Sequence, residues 1–375
     1  MNFRTRVFAF LLALVMAVSL AACADTGADP DASPTIDTGV KDLWQAAAGL
    51  PSDFELLTIN GNPVEAQFYL YWLVSNVYQL EQNFLYMFGE GLDWSDEVFA
   101  DSCKADALNA AQFYLTIVFK ARELGLEMTQ EQVDELEAEL DQVREGLGGQ
   151  EALEDELRKI GLDYDTYYTI NATYYYYERL CDNLYPEMPS DEELDILGAK
   201  HILLMTVDPS TKEALDEETI AEKKATAEAL LSQLRAAEGE AQLALFDELM
   251  NEYSEDTGLA ANPDGYLFTA GTMVSAFEDT TRALEFGQIS DVVESEWGYH
   301  IILRLDPVEH PDIEATREEA VADLTEDQIN AWIKEADIVF SEEYENLNVQ
   351  RIYETFTAYP AAFQAEAEAA EQAEE

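Results

Sequence analysis

Basic residues are scarce in this chain. Twenty Lys and Arg stand against 78 Asp and Glu, a formal net charge of −58 over 375 residues. So acidic a surface repels phosphate backbones and anionic headgroups, which argues against nucleic acid as a partner. Cysteine and histidine are thin as well, at three each. There is no C-x-x-C and no H-x-x-x-H, so zinc and haem sites lack their usual ligand spacing; no metal and no cofactor is expected. No G-x-S-x-G elbow for a hydrolase serine occurs. Cys103 and Cys181 could pair, but a chain of this length does not need a staple. The long apolar run near the start, from Val7, is too short to cross a bilayer.

That run has another use. Residues 1–22 combine a basic start (Arg4, Arg6), the apolar stretch and small residues before a cysteine, which is the pattern of an export signal. Leu20-Ala21-Ala22-Cys23 resembles the bacterial lipobox. The resemblance implies cleavage before Cys23 and a diacylglycerol on its thiol, holding the protein at the outer face of a cell membrane without spanning it. Removal of the signal takes away the two arginines, leaving 18 basic residues against 78 acidic ones, a net charge of −60. Residues 23–40, "ADTGADPDASPTIDTGV" after the cysteine, are small and polar and read as a flexible tether.

Residues 41–188 read as a mostly helical domain. Phe54–Ile59 is expected as a strand and Asn60-Gly61 as a turn. A helix follows with Ala66, Leu70, Leu73, Val77 and Leu80 on one face, then another from about Asp96 to Leu124. A third starts at Thr129, whose hydroxyl can cap it while Gln132 reaches back; Gly148-Gly149 end it. The tyrosine-dense stretch 163–185 is read as a helix packing its rings against neighbours, with an aromatic surface for apolar segments as the other reading.

After Pro186 and Pro189 the pattern changes. Ser190 is expected to open a short helix ending near Gly198. "AKHILLMTV" then reads as a strand. Helices are expected over about 216–238 and around Leu243–Tyr253, and a loop carries Gly258, Pro263 and Gly265. Further on come a helix over 275–286 and strands at Ile289–Val293 and Tyr299–Leu305. This order, β-α-α-loop-α-β-β, suits a small α+β domain over 199–306. Residues 307–358 return to helix and are expected to pack on the N-terminal lobe. Residues 359–375 form an acidic tail expected to be disordered.

Four blocks in the 199–306 region carry a resemblance: "AKHILL" (199–204), "YSED" (253–256), "GYLFTAGTMVSAFE" (265–278) and "GQISDVVESEWGYHIILRL" (287–305). Together they resemble the parvulins, the small peptidyl-prolyl isomerase domains. The lipobox, the helical opening with "INGNPV" and the closing helix resemble the PrsA and SurA class of extracytoplasmic foldases. The implied fold is α+β, a helical chaperone lobe with a parvulin domain inserted into it.

The resemblance also implies roles. His201, Asp256 and His300 are the expected catalytic group, the imidazoles forming a hydrogen-bond network beneath the substrate amide. Met273 and Phe277 fall on the proline pocket, and Ser254 and Thr257 behind it. "NPDGYLF" departs from the family pattern, so the remaining pocket wall is assigned to Leu267 or Phe268. His310 is expected at the surface. The implied function is isomerisation of X-Pro bonds in newly exported proteins, without preference for phosphorylated residues, because the 206–218 loop is acidic. Two other readings stay open: a holdase whose parvulin domain barely catalyses, and a solute-binding lipoprotein, which would need two α/β lobes. A homodimer through the helical lobe is also left open.

Overall fold

The structure, a computed structural model, describes residues 42–94 and 97–359. The export signal, Cys23, the tether and the acidic tail beyond residue 359 lie outside the described residues. The chain divides into two compact units. One comprises the residues up to Leu184 together with those from Glu326; the other runs from Tyr185 to Thr325.

The first unit starts with a short helix, α1 (Leu43–Ala47), whose N-terminal amides at Trp44 and Gln45 donate to the Asp42 carboxylate. Strands β1 (Glu55–Ile59) and β2 (Asn62–Glu65) form a hairpin. Its turn residues, Asn60 at φ 51° and Gly61 at φ 77°, supply the left-handed pair that a two-residue hairpin turn requires. Helices α2 (Ala66–Phe88), α3 (Glu97–Glu123), α4 (Gln130–Leu147), α5 (Gln150–Lys159) and α6 (Tyr164–Leu184) follow. The α4 start carries the expected capping box, Thr129 accepting from the Gln132 amide while the Gln132 side chain takes the Thr129 N–H. Tyr175, Tyr176 and Tyr177 of α6 are buried, so the tyrosine run packs inward.

The C-terminal residues complete this unit. Residues 338–340, expected within a helix, instead form strand β7 (Ile338–Phe340), antiparallel to β1 on the side away from β2. The cause lies in Asn60: its backbone N–H donates to the Asp337 carbonyl (2.8 Å) and its side-chain oxygen accepts the Asp337 N–H (2.9 Å). These bonds align a β-branched pair, Ile338-Val339, with an open sheet edge, and that tertiary pairing overrides local helix preference. A short helix, α11 (Glu342–Glu345), and a last one over 349–359 follow. Phe356 of that last helix stacks on Trp44 of α1, ring centroids 6.2 Å apart. The Trp44 indole N–H donates to the Gly161 carbonyl at 2.6 Å.

The second unit is built on a four-stranded antiparallel sheet of order β4-β3-β6-β5. The strands are β3 (Leu197–Met205), β4 (Tyr266–Phe268), β5 (Val293–Glu294) and β6 (Gly298–Leu305), with helices α7 (Glu217–Ala236), α8 (Glu240–Tyr253) and α9 (Ser275–Ala283) between them. Ile202 and Leu204 of β3 and Tyr299, Ile301 and Leu303 of β6 face α7 and α8, meeting Leu230, Leu234, Phe246 and Leu249. The alternate residues, including Leu197, Ala199 and Ile302, face Phe268 and Phe277. The two central strands are thus buried on both faces, which explains why they read as unbroken apolar runs.

Further local expectations need correction. Residues 191–195 form turns, not a helix; Asp195 sits at φ 52°, which ends any helix and turns the chain into β3. Tyr266–Phe268, read as loop, is strand β4, and the expected strand at Ile289–Val293 reduces to a single bridge from Ile289 to Leu303 plus the two residues of β5. There the Ser290 hydroxyl accepts the Ile302 N–H, taking the place of a ladder bond. Helix α10 (Ile313–Glu335) carries the division between units, at Thr325. Its first part stays with the sheet unit: Ile313, Ala320 and Val321 pack on Leu194 and Ile196, and Arg317 forms a two-pronged ion pair with Asp191 (2.7 and 3.0 Å). His310 is buried rather than superficial, its Nδ1 accepting the Asp312 N–H at the entry to α10.

Candidate active site

His201 lies opposite Ile302 across the β3–β6 ladder, and His300 lies opposite Leu203. The two histidines are therefore diagonal neighbours on one face of the sheet. Their Nδ1 atoms are 3.1 Å apart and both rings are buried. Each outer nitrogen is engaged too: His201 Nε2 lies 2.9 Å from Asp256 Oδ2, and His300 Nε2 lies 2.7 Å from Ser295 Oγ. Ser295 Oγ also accepts the Trp297 N–H. The four ring nitrogens are thus all used in one chain of hydrogen bonds.

Asp256 reaches this chain because the segment after α8 is laced to β3. The Leu203 N–H donates to Ser254 Oγ (3.1 Å), the Glu255 N–H to the Leu203 carbonyl (2.8 Å), and the Met205 N–H to the Glu255 carboxylate (2.8 Å). Ser254 thus holds the strand and does not reach the cleft. The Asp256 carboxylate accepts from Tyr266 Oη at 2.5 Å on Oδ2 and from the Gly258 N–H at 2.9 Å on Oδ1. The bond to His201, joined by those from Tyr266 and Gly258, holds the Asp256 carboxyl well below the usual carboxylate range. Burial, reinforced by the neighbouring imidazole of His201, pushes His300 down to about 3, so it is neutral at ordinary pH. Burial, with the bond to Asp256, raises the Tyr266 phenol above its usual range.

Above the pair opens a cleft of about 350 Å³, walled by Met273, Val274, Phe277, Tyr266 and Trp297, with Thr257 and Thr272 at its edge. Phe277 stands edge-on to both imidazoles, 5.1 Å from His201 and 5.6 Å from His300. The structure brings His201, Asp256, Thr257, Met273, Phe277 and His300 into this one cleft. It does not bring Leu267 or Phe268 there. β4 alternation points Leu267 toward the cluster at Leu194 and Ile313, while Phe268 lies underneath, 5.8 Å from Phe277. The wall they were assigned belongs to Tyr266. Sequence reasoning also missed Ser295, which nothing in "VESEWGYH" distinguishes from a surface serine. Trp297 is held at the rim by the Thr206 N–H on its carbonyl (2.9 Å), and Lys212 Nζ sits 5.2 Å above its ring.

An apolar cleft over a buried, fully bonded imidazole pair offers no free nucleophile and no metal-type array of open lone pairs. It can enclose a small apolar ring and favour one shape of it. Residues 201–306 match the family described as rotamase, the PPIC-type PPIase domain. The sheet unit holds a parvulin domain. Among relatives of the whole chain, Foldase protein PrsA of Staphylococcus aureus is 28% identical over 218 residues, 55% of this chain and 65% of that protein. Foldase protein PrsA of Oceanobacillus iheyensis is 54% identical over 59 residues, 15% of this chain and 19% of that one. The chain thus aligns with less than two thirds of the length of these relatives. Among solved structures, the parvulin of Nitrosopumilus maritimus is 30% identical, covered over 99% of its length and 32% of this chain, with a TM-score of 0.21.

Proposed function

We propose that this protein is a peptidyl-prolyl cis-trans isomerase and foldase, acting on X-Pro bonds of newly exported proteins. The observation that carries the reading is the Met273–Phe277 cleft set directly over the His201–His300–Asp256 network. Rotation about an X-Pro amide breaks its resonance, against a barrier of about 18–20 kcal/mol, and requires no covalent bond to a side chain. A dry pocket that holds the proline ring and favours the twisted amide over both planar forms lowers that barrier by differential binding. In this reading Met273, Phe277 and Tyr266 hold the ring, Asp256 and the imidazoles set the field around the carbonyl, and Ser254 and Thr257 fix their supports.

In the same reading the export signal is cleaved before Cys23 and a lipid there anchors the chain to the outer face of the membrane. Among the described residues no helix is long and apolar enough to cross a membrane, and the lipobox supplies the attachment. The helical unit, completed by the end of α10, β7 and the last helix, then acts as the client-holding lobe; its exposed Leu85, Tyr86, Met87 and Phe88 at the end of α2 support that role.

The test is a proline-isomerisation assay on the purified protein, with Asp256→Ala and Met273→Ala beside it. The wild type should accelerate isomerisation of a short Ala-Pro peptide, and each variant should slow it by about tenfold or more. A wild-type rate equal to the uncatalysed one sinks the reading and leaves a holdase.

A further inference from the structure

We infer that Tyr266 is a positioning residue that fixes the direction of the whole hydrogen-bond chain, so that every proton in it points toward Asp256. The geometry allows two directions in principle. In one, an ionised Asp256 accepts the proton of His201 Nε2; His201 Nδ1 then accepts from His300 Nδ1–H, and His300 Nε2 accepts from the Ser295 hydroxyl. In the other, a protonated Asp256 donates to His201 Nε2, and every bond reverses, ending with His300 Nε2–H on Ser295. The choice is made at the aspartate.

Tyr266 makes it. Its hydroxyl is a donor aimed at Oδ2, the same oxygen that faces His201 Nε2, at 2.5 Å. The Gly258 N–H is a second donor, on Oδ1. A carboxyl that already accepts from the Tyr266 hydroxyl and the Gly258 N–H fits best in its ionised form, and His201 Nε2 then supplies the third donor. The phenol is held there by construction. A Cβ at Gly258 would lie 2.4 Å from Tyr266 Oη, so glycine leaves room for it. The Tyr266 ring also stands edge-on to His201, 5.7 Å away. From the other elements, His300 of β6 and Phe277 of α9 face the pair; Lys223 of α7 is engaged by Glu255 instead, and Lys212 by the Trp297 ring. At the far end Ser295 Oγ accepts the Trp297 N–H, and its second lone pair makes that bond compatible with either direction. The chain thus runs from the aspartate at one side of the cleft to the tryptophan at its rim, with its direction set at the aspartate.

The value of this lock for catalysis rests on the isomerase reading; the polarity itself does not. The test is therefore nuclear magnetic resonance of the full chain with 15N-labelled histidine, where long-range 1H–15N couplings tell which ring nitrogen carries the proton. In the wild type at about pH 8, His201 should carry it on Nε2 and His300 on Nδ1. In Tyr266→Phe the carboxylate loses a donor, and the reversed chain becomes accessible. Both rings should then change together: a measurable fraction of His201 moves to the Nδ1–H form and of His300, two links from the mutation, to the Nε2–H form. His310, bonded separately to Asp312, serves as the unchanged reference. A wild type with His300 protonated on Nε2 at that pH overturns the inference, as does a Tyr266→Phe protein with unaltered tautomers. If that variant does not fold, Gly258→Ala, which displaces the hydroxyl, replaces it, and the wild-type tautomers alone remain decisive. An inactive wild type with the stated tautomers would sink the isomerase reading and leave this one standing.

Discussion

His201 and His300 lie nearly parallel, ring centroids 5.3 Å apart with 13° between their planes, joined through their Nδ1 atoms. Two imidazoles so placed cannot both be charged, and neither can change its proton without the other responding. The relationship turns two ordinary strand residues into one titrating unit.

Acid should therefore loosen the parvulin domain. The folded-state pKa of His300 is lowered from 6.5 to about 3, so below pH 6.5 the unfolded chain takes up a proton that the folded one refuses. Stability must fall as the pH drops through that window, by at most about 1.4 kcal/mol per pH unit. Asp256, whose pKa is depressed, acts in the same direction lower down: its stabilisation is present above the ordinary carboxylate range and is lost as pH falls through its folded value. Urea unfolding at pH 7.5 and 5 measures the first effect, with His300→Gln expected to flatten the dependence. A domain equally stable at both pH values would contradict it.

Phe277 touches both imidazoles and Phe268. Phe277→Ala should cost about 3–5 kcal/mol of domain stability. Phe277→Leu should keep the fold while raising KM more than it lowers kcat, since it alters the pocket and not the hydrogen-bond chain. Chemical denaturation and peptide kinetics read the two separately.

At Gly298, φ is 148° and a Cβ would lie 2.1 Å from the Leu204 carbonyl oxygen. Backbone against backbone leaves nothing flexible to move. Gly298→Ala should destabilise the domain by about 2–5 kcal/mol, whereas Gly271→Ala, with open space around it, should cost only the strain of its left-handed φ. Comparison of the two midpoints in urea checks this.

The one basic residue of the 206–218 loop, Lys212, lies over the Trp297 ring among acidic neighbours. A dianionic phosphate there meets one amine and a surrounding negative field. Peptides with Ala-Pro and Glu-Pro should be turned over at least as fast as one with phosphoSer-Pro. A clear advantage for the phosphorylated peptide would contradict this.

The parts of the fold fixed by local chemistry could be read in advance. The Thr129–Gln132 box, the Asn60-Gly61 turn and the apolar strands at His201 and His300 all rest on residue type and spacing. What escaped was set by distant partners. β7 exists because Asn60 grips Asp337, and β4 because Tyr266 and Phe268 pair with β3; neither interaction leaves a periodicity in its own segment. The cleft divides in the same way. The histidines, Asp256, Met273 and Phe277 stood out by resemblance, and the structure places them together. Tyr266 did not, because its part depends on a hydroxyl meeting a carboxylate across a loop, and Leu267 and Phe268 were misplaced because one residue of strand register decides which side chain faces the cleft.

The Ile59–Ile338 pairing closes the first unit's sheet across the entire sheet-bearing unit. A chain made from its N-terminus presents every residue of the inserted unit before the strand that finishes its host. The insert can reach its final state while the host still lacks an edge. Once folded, it also shortens the effective length of chain that must be closed to bring residue 338 back to residue 59, so less entropy opposes the final pairing. The order of appearance along the polypeptide therefore leaves one edge of β1 open until residues 338–340 arrive.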